Sequence, residues 1–158
     1  MQSRTNARLA AVQALYQMEA VGAGVESVIL EFRTHRLGGD IDGCLLHEAD
    51  EEFFSELLRG VIRLQSKIDP QIERRLAKSW TLARLDATAR AILRAAAFEL
   101  ASRPDIPARS IINEYLEIAN AFFGEDDPRF INAVLDVLAR ELRADEFESA
   151  ANGRRGDA

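Results

Sequence analysis

The chain has 158 residues, a formal net charge of −6, 47% hydrophobic and 29% charged residues, which is the composition of a globular protein and not of a disordered or collagenous one. One cysteine, Cys44, excludes an internal disulfide framework. No apolar run reaches the roughly 20 residues of a membrane helix, and the N-terminus has no secretory core or small-residue cleavage site, so a cytoplasmic protein is expected.

The first predicted helix spans about 4–20, with Leu9, Val12, Leu15 and Tyr16 on one face. Gly22 and Gly24 end it. A second helix covers about 25–36, with Val28, Ile29 and Phe32 inward. Residues 37–47, with three Gly and two Asp, read as a loop. A third helix over about 48–67 carries Phe53, Phe54, Leu57, Leu58, Val61 and Ile62, with Ile68 continuing the stripe, and acids crowd its first turns. Asp69-Pro70 reads as a cap followed by a first-turn proline, opening a fourth helix over about 70–79. Asp86 caps a fifth over about 87–102, with Ile92, Leu93, Ala96 and Leu100 inward. Pro104 and Pro107 bracket a break. A sixth helix over about 108–123 points Ile111, Ile112, Tyr115, Ile118, Ala119 and Phe122 inward. Asp127-Pro128 repeats the cap signal before a seventh over about 128–144, with Ile131, Val134, Leu135, Leu138 and Leu142. Residues 145–158 read as a polar tail. Without period-two alternation, the expectation is an all-α bundle of about seven helices and no sheet.

Charge is unevenly spread. Residues 40–58 hold seven acids and no Lys or Arg, residues 59–94 hold nine bases against three acids, and residues 95–158 hold thirteen acids against seven bases. Eighteen of the twenty bases are arginine. Arginine forks match phosphate, but an Ala- and Arg-rich genome accounts for them equally well. The acidic total argues against indiscriminate polyanion binding, which depends on summed positive charge. Any nucleic-acid role is therefore local and partner-assisted.

Catalytic signatures are missing. His35, Cys44 and His47 lack zinc-site spacing, so no metal is expected. There is no phosphate-cradling glycine loop and no H-E-x-x-H or G-x-S-x-G. Glu125 and Asp126 read as helix-dipole compensation. A binding protein is expected, with no cofactor, rather than an enzyme.

Three ordered stretches are more specific: ARLAAVQALYQME at 7–19, LDATARAILRAAAFEL…DIPARSIINEYLEIANAFF at 85–123, and RFINAVLDVLAREL at 129–142. Together they resemble the NusB family of bacterial transcription antitermination factors. The resemblance implies one helical domain over 1–144 made of two three-helix bundles, about 1–80 and 81–144. It also implies binding of boxA RNA in ribosomal RNA leader transcripts as a heterodimer with NusE, loading onto RNA polymerase, and suppression of premature termination. Alone, such a chain is a monomer or homodimer.

The family's arginine-rich N-terminal motif falls on Ser3-Arg4-Thr5-Asn6-Ala7-Arg8, where Thr5 and Asn6 replace frequent arginines. Arg4 and Arg8 are four residues apart, on one helix face, at an end that welcomes phosphate. The turn Asp126-Asp127-Pro128-Arg129-Phe130 falls where the family places its second RNA segment. Arg129 would contact phosphate there, and Phe130 would stack on a base or join the core. Tyr16 suits core or groove edge. The expected RNA-binding set is Arg4, Thr5, Asn6, Arg8, Tyr16, Arg129 and Phe130. Asn113, Glu114 and Asn132 read mainly as interhelical hydrogen bonders. Two other readings remain: a NusB-like domain of a ribosomal RNA cytosine methyltransferase, and a helical scaffold that binds protein alone.

Overall fold

A computed structural model gives the architecture; it describes residues 2–36, 40–41, 44–45, 49–76, 81–124 and 127–147. The helices are α1 (Gln2–Val21), α2 (Val25–Glu31), α3 (Glu51–Glu73), α4 (Ala87–Ser102), α5 (Ala108–Phe123) and α6 (Asp127–Leu142). A π-helical turn, Phe32–Arg36, continues α2, and a short 3-10 turn, Leu82–Arg84, precedes α4. The all-α expectation holds, with one small departure. Within the predicted loop, β1 (Asp40–Ile41) pairs antiparallel with β2 (Cys44–Leu45), in the register Asp40 to Leu45 and Ile41 to Cys44.

α4 is the axis of the fold. It packs against α1, α3, α5 and α6, and Ile92, Leu93, Ala95, Ala96, Ala97, Phe98 and Leu100 are almost wholly buried. One continuous core runs through all six helices. α3 comes so close to α4 that a Cβ on Gly60 would stand 2.1 Å from the Phe98 ring. α1 achieves its contact through alanines: Ala7, Ala10, Ala11 and Ala14 are fully buried beside Val12. The predicted stripe therefore sits partly to one side of the real one, with Leu9 half-buried and Tyr16 48% exposed. Ile62 and Phe122, expected inside, are exposed.

Pro70 does not start a helix. α3 runs through it to Glu73. A proline in a helix interior costs about 3 kcal/mol. Ile68, Ile72 and Leu76 are buried around it, and side chains of this size contribute about 1.5–3 kcal/mol each, enough to offset the break. Asp69 is no cap either, because Arg94 grips its two oxygens at 2.9 Å each. Residues 77–80, the end of the expected fourth helix, lie outside the described residues. The predicted Asp86 cap is present: its Oδ1 accepts from the amides of Thr88 at 2.8 Å and Ala89 at 3.4 Å. Gly22 ends α1 at φ 70°, in the left-handed region glycine favours.

At the other end of α4, Arg143 acts as a cap. Its buried guanidinium donates to the carbonyls of Glu99, Leu100, Arg103 and Ile106 at 2.6–3.3 Å, which satisfies the helix's last acceptors with positive charge. Glu146 and Phe147, within the expected tail, also engage the bundle. Glu146 accepts from the Ala108 amide, and Phe147 packs on the core with the Arg140 guanidinium 5.0 Å from its ring centroid. No described helix is long and apolar enough to cross a membrane.

Candidate nucleic-acid interface

The first turn of α1 is fixed from two sides. The Ser3 carbonyl accepts from the Asp50 amide at 2.9 Å, and Asp50 caps α3 by accepting from the Phe53 amide at 3.0 Å. This seats the start of α1 on the start of α3. Phe53, 3% exposed, carries the guanidiniums of Arg4, Arg8 and Arg103 at 5.3, 5.1 and 5.4 Å from its ring centroid. Its negative π-face draws the cations in. Sequence periodicity marks Phe53 only as core.

Arg4 and Arg8 then diverge. Arg4 is exposed, and its charge acts on Asp105, which Arg103 holds by hydrogen bonds. Arg8 is 4% exposed, with Nε and Nη2 each 2.9 Å from a carboxylate oxygen of Glu99. Glu99 is fully buried, and the buried Tyr115 hydroxyl also donates to it. Arg8 is thus a strut of the core and does not present its fork to solvent. Burial opposes its charge most strongly, but the hydrogen bonds and charge of Glu99 prevail and raise its pKa. The Tyr115 hydroxyl is held well above its ordinary range, first by burial and then by the Glu99 charge. The signal for this network was a lone acid inside the apolar run AAAFEL and a lone arginine among the α1 alanines. A buried charge of either sign requires the other.

Thr5 and Asn6 are half-buried. The Thr5 hydroxyl donates to Glu114 of α5, with oxygens 3.1 and 3.3 Å away. Glu114 also lies 3.7 Å from the Arg8 guanidinium, so its reading as an interhelical bonder is correct. Asn113 and Asn132 are exposed instead. They line a depression of about 250 Å³ between α5 and α6 with Arg109, Ile112, Asp136 and Phe147. Next to the α1 turn, Arg103 holds both oxygens of Asp105 at 3.0 and 2.8 Å and Glu56 at 2.7 Å. That hydrogen bonding lowers the Asp105 pKa to about 2.

Arg129 and Phe130 occupy the first turn of α6, both at the surface. The core positions there are Ile131, Val134, Leu135, Leu138 and Ala139, so Phe130 is outside the packed stripe and its ring is available. α5 links the two segments: it meets α1 through Thr5 and Glu114 and packs along α6. Tyr16 stands apart, twelve residues beyond Arg4 and about 18 Å along the helix at ~1.5 Å per residue. Of the three metal candidates, His35 is exposed, while the Cys44 side chain and His47 lie outside the described residues. Among the described residues no cluster of three possible metal ligands occurs.

The NusB family's sequence signature matches residues 5–140. The chain belongs to the NusB family. It is 58% identical over 143 residues to transcription antitermination protein NusB of Caulobacter vibrioides, covering 90% of this chain and 96% of that one. Against the protein of the same name from Maricaulis maris it is 54% identical, covering 91% and 90%. NusB from T. maritima superposes with a TM-score of 0.73 at 33% identity, over 87% of this chain and 91% of that one. A crystal structure of antitermination factors NusB and NusE in complex with dsRNA shares the fold, with a TM-score of 0.71 at 21% identity over 89% and 98%.

Proposed function

We propose that this chain is a cytoplasmic transcription antitermination factor that binds boxA RNA together with NusE, joins the RNA polymerase antitermination complex and suppresses premature termination in ribosomal RNA operons. The observation that carries the reading is the near-full-length match to relatives named transcription antitermination protein NusB. Their coverage over 96% and 90% of their own lengths also favours a factor over a methyltransferase domain.

RNA is bound across the first turns of α1 and α6. Arg4 and Arg129 anchor phosphates, and Thr5 and Asn6 offer hydrogen bonds. Phe130 stacks on an unpaired base, and Tyr16 supplies an aromatic edge farther along α1. Arg8 positions Arg4 by holding the α1 turn in place. NusE binds the helical surface and not the polar C-terminus, and without it the chain is a monomer or homodimer. The mechanism is one of binding: two pre-formed turns capture single-stranded RNA, and the partner supplies the positive charge that an acidic chain lacks.

The test is a fluorescence titration of boxA-like and scrambled RNA with and without NusE. RNA binding that is stronger for boxA and enhanced by NusE supports the reading. Association with NusE but with neither RNA establishes the protein-only scaffold instead. Removing residues 148–158 should leave co-elution with NusE intact on size exclusion.

A further inference from the structure

Glu114 sits on α5 with its carboxylate against the first turn of α1, 3.1 Å from the Thr5 hydroxyl. Its side chain is 29% exposed, so solvent and ligands reach it. Arg8 does not need it for balance, because Glu99 already takes the Arg8 fork with two bonds of 2.9 Å. Arg8, Glu99 and Glu114 therefore amount to one cation and two carboxylates, with the second carboxylate at the surface. Its bond to Thr5 and its 3.7 Å approach to Arg8 hold that charge against the first two turns of α1.

We propose that Glu114 is a built-in competitor of RNA: its carboxylate sets a fixed negative charge against the first turns of α1 and so limits the affinity of this surface for single-stranded RNA. The inference rests on the RNA-binding reading above. Its physical content is simple. A phosphate approaching this turn meets a fixed negative charge on the same surface. A glutamine would accept the same hydroxyl bond from Thr5 and lack the charge.

The experiment measures binding of a boxA-like RNA and a scrambled RNA of equal length to the full chain in its NusE complex, by fluorescence anisotropy across monovalent salt. Glu114→Gln should tighten both RNAs by about three- to tenfold near 0.1 M salt, with the gain fading as screening shortens. Both should respond alike because phosphate contacts carry no sequence information. Glu26→Gln removes an equal charge beyond the opposite end of α1. Its carboxylate is held by Arg59 midway along α3, about 14 Å of helix from the start that the α1 turn sits on and more than a Debye length at 0.1 M salt, so it should leave affinity nearly unchanged.

Unchanged or weaker binding by a normally melting Glu114→Gln protein overturns the proposal, as does equal tightening by Glu26→Gln. If Glu114→Gln does not fold, Thr5→Arg places a cation within reach of the carboxylate. It should tighten binding at least as much, and no gain there overturns the proposal too. Arg4→Ala separates the two levels. If it leaves affinity and salt dependence untouched, RNA does not bind this turn, and the underlying reading falls with the proposal. If it weakens binding while Glu114→Gln changes nothing, only the role of Glu114 is lost.

Discussion

The first turns of α1 and α6 make an instructive pair. Both expose an arginine, Arg4 and Arg129, yet they are built differently. The α1 turn is held to α3 by the Ser3 carbonyl, to α4 through Arg8 and Glu99, and to α5 through Thr5 and Glu114. The α6 turn is anchored by apolar burial of Ile131 and leaves Arg129 and Phe130 at the surface. A surface arginine held over a ring by a buried polar frame is a rigid anchor. Among the described residues Arg129 has no such ring or buried polar frame beneath it. Mutations in the buried frame of the first region should therefore act mainly on folding, and those at its surface and in the second region mainly on RNA.

The largest effect should come from Glu99→Ala. It leaves the Arg8 charge buried without its partner, a loss of about 3–5 kcal/mol in urea unfolding. Tyr115→Phe keeps the ion pair and removes one hydrogen bond to a charged group. It should cost about 1.5–3 kcal/mol by the same measurement. Phe130→Ala should leave the melting curve nearly unchanged, because its ring is outside the core. It should cost RNA binding about 1–3 kcal/mol if the ring stacks on a base. A large drop in melting temperature instead would erase the contrast between the two turns. Arg129→Ala should move stability by less than about 0.5 kcal/mol and lower the salt slope of RNA binding by about 0.7.

The smallest effect concerns pH. The Arg103 bonds depress the Asp105 pKa to about 2 from its ordinary 3.8. A depressed carboxylate stabilises the fold above its unfolded pKa and loses that contribution as pH falls through the folded value. Its share should thus be intact at neutral pH and disappear between about pH 4 and 2. Carboxyl-carbon NMR should place the Asp105 midpoint near 2, and Arg103→Ala should raise it.

Much of this fold is readable from local rules. α4, α5 and α6 are found almost to the residue because Asp86, the proline pair and Asp127-Pro128 punctuate the chain, and because Ile and Leu recur at helical spacing. Pro70 misleads for a physical reason: its local preference to break is outweighed by Ile68, Ile72 and Leu76, which are buried only once α4 and its neighbours arrive. Alanines hide the inner face of α1, since they serve close approach and add little to an apolar stripe. The site divides the same way. Arg4, Arg129 and Phe130 are exposed, as a binding set requires. The identical-looking Arg8 is claimed by Glu99, 91 positions away, a partnership that no local spacing reveals.

The cap that Arg143 forms on α4 has a consequence in time. The helix at the centre of the molecule ends at Ser102, but the guanidinium that satisfies its Leu100 carbonyl lies 43 residues later in the chain. At a synthesis rate of ~5–20 residues per second, the end of α4 waits about 2–9 s for that partner to be made. Throughout that interval the central helix has open acceptors at its tip, and its flank lacks α6. Emergence of the last helix from the ribosome is therefore the event that closes the fold.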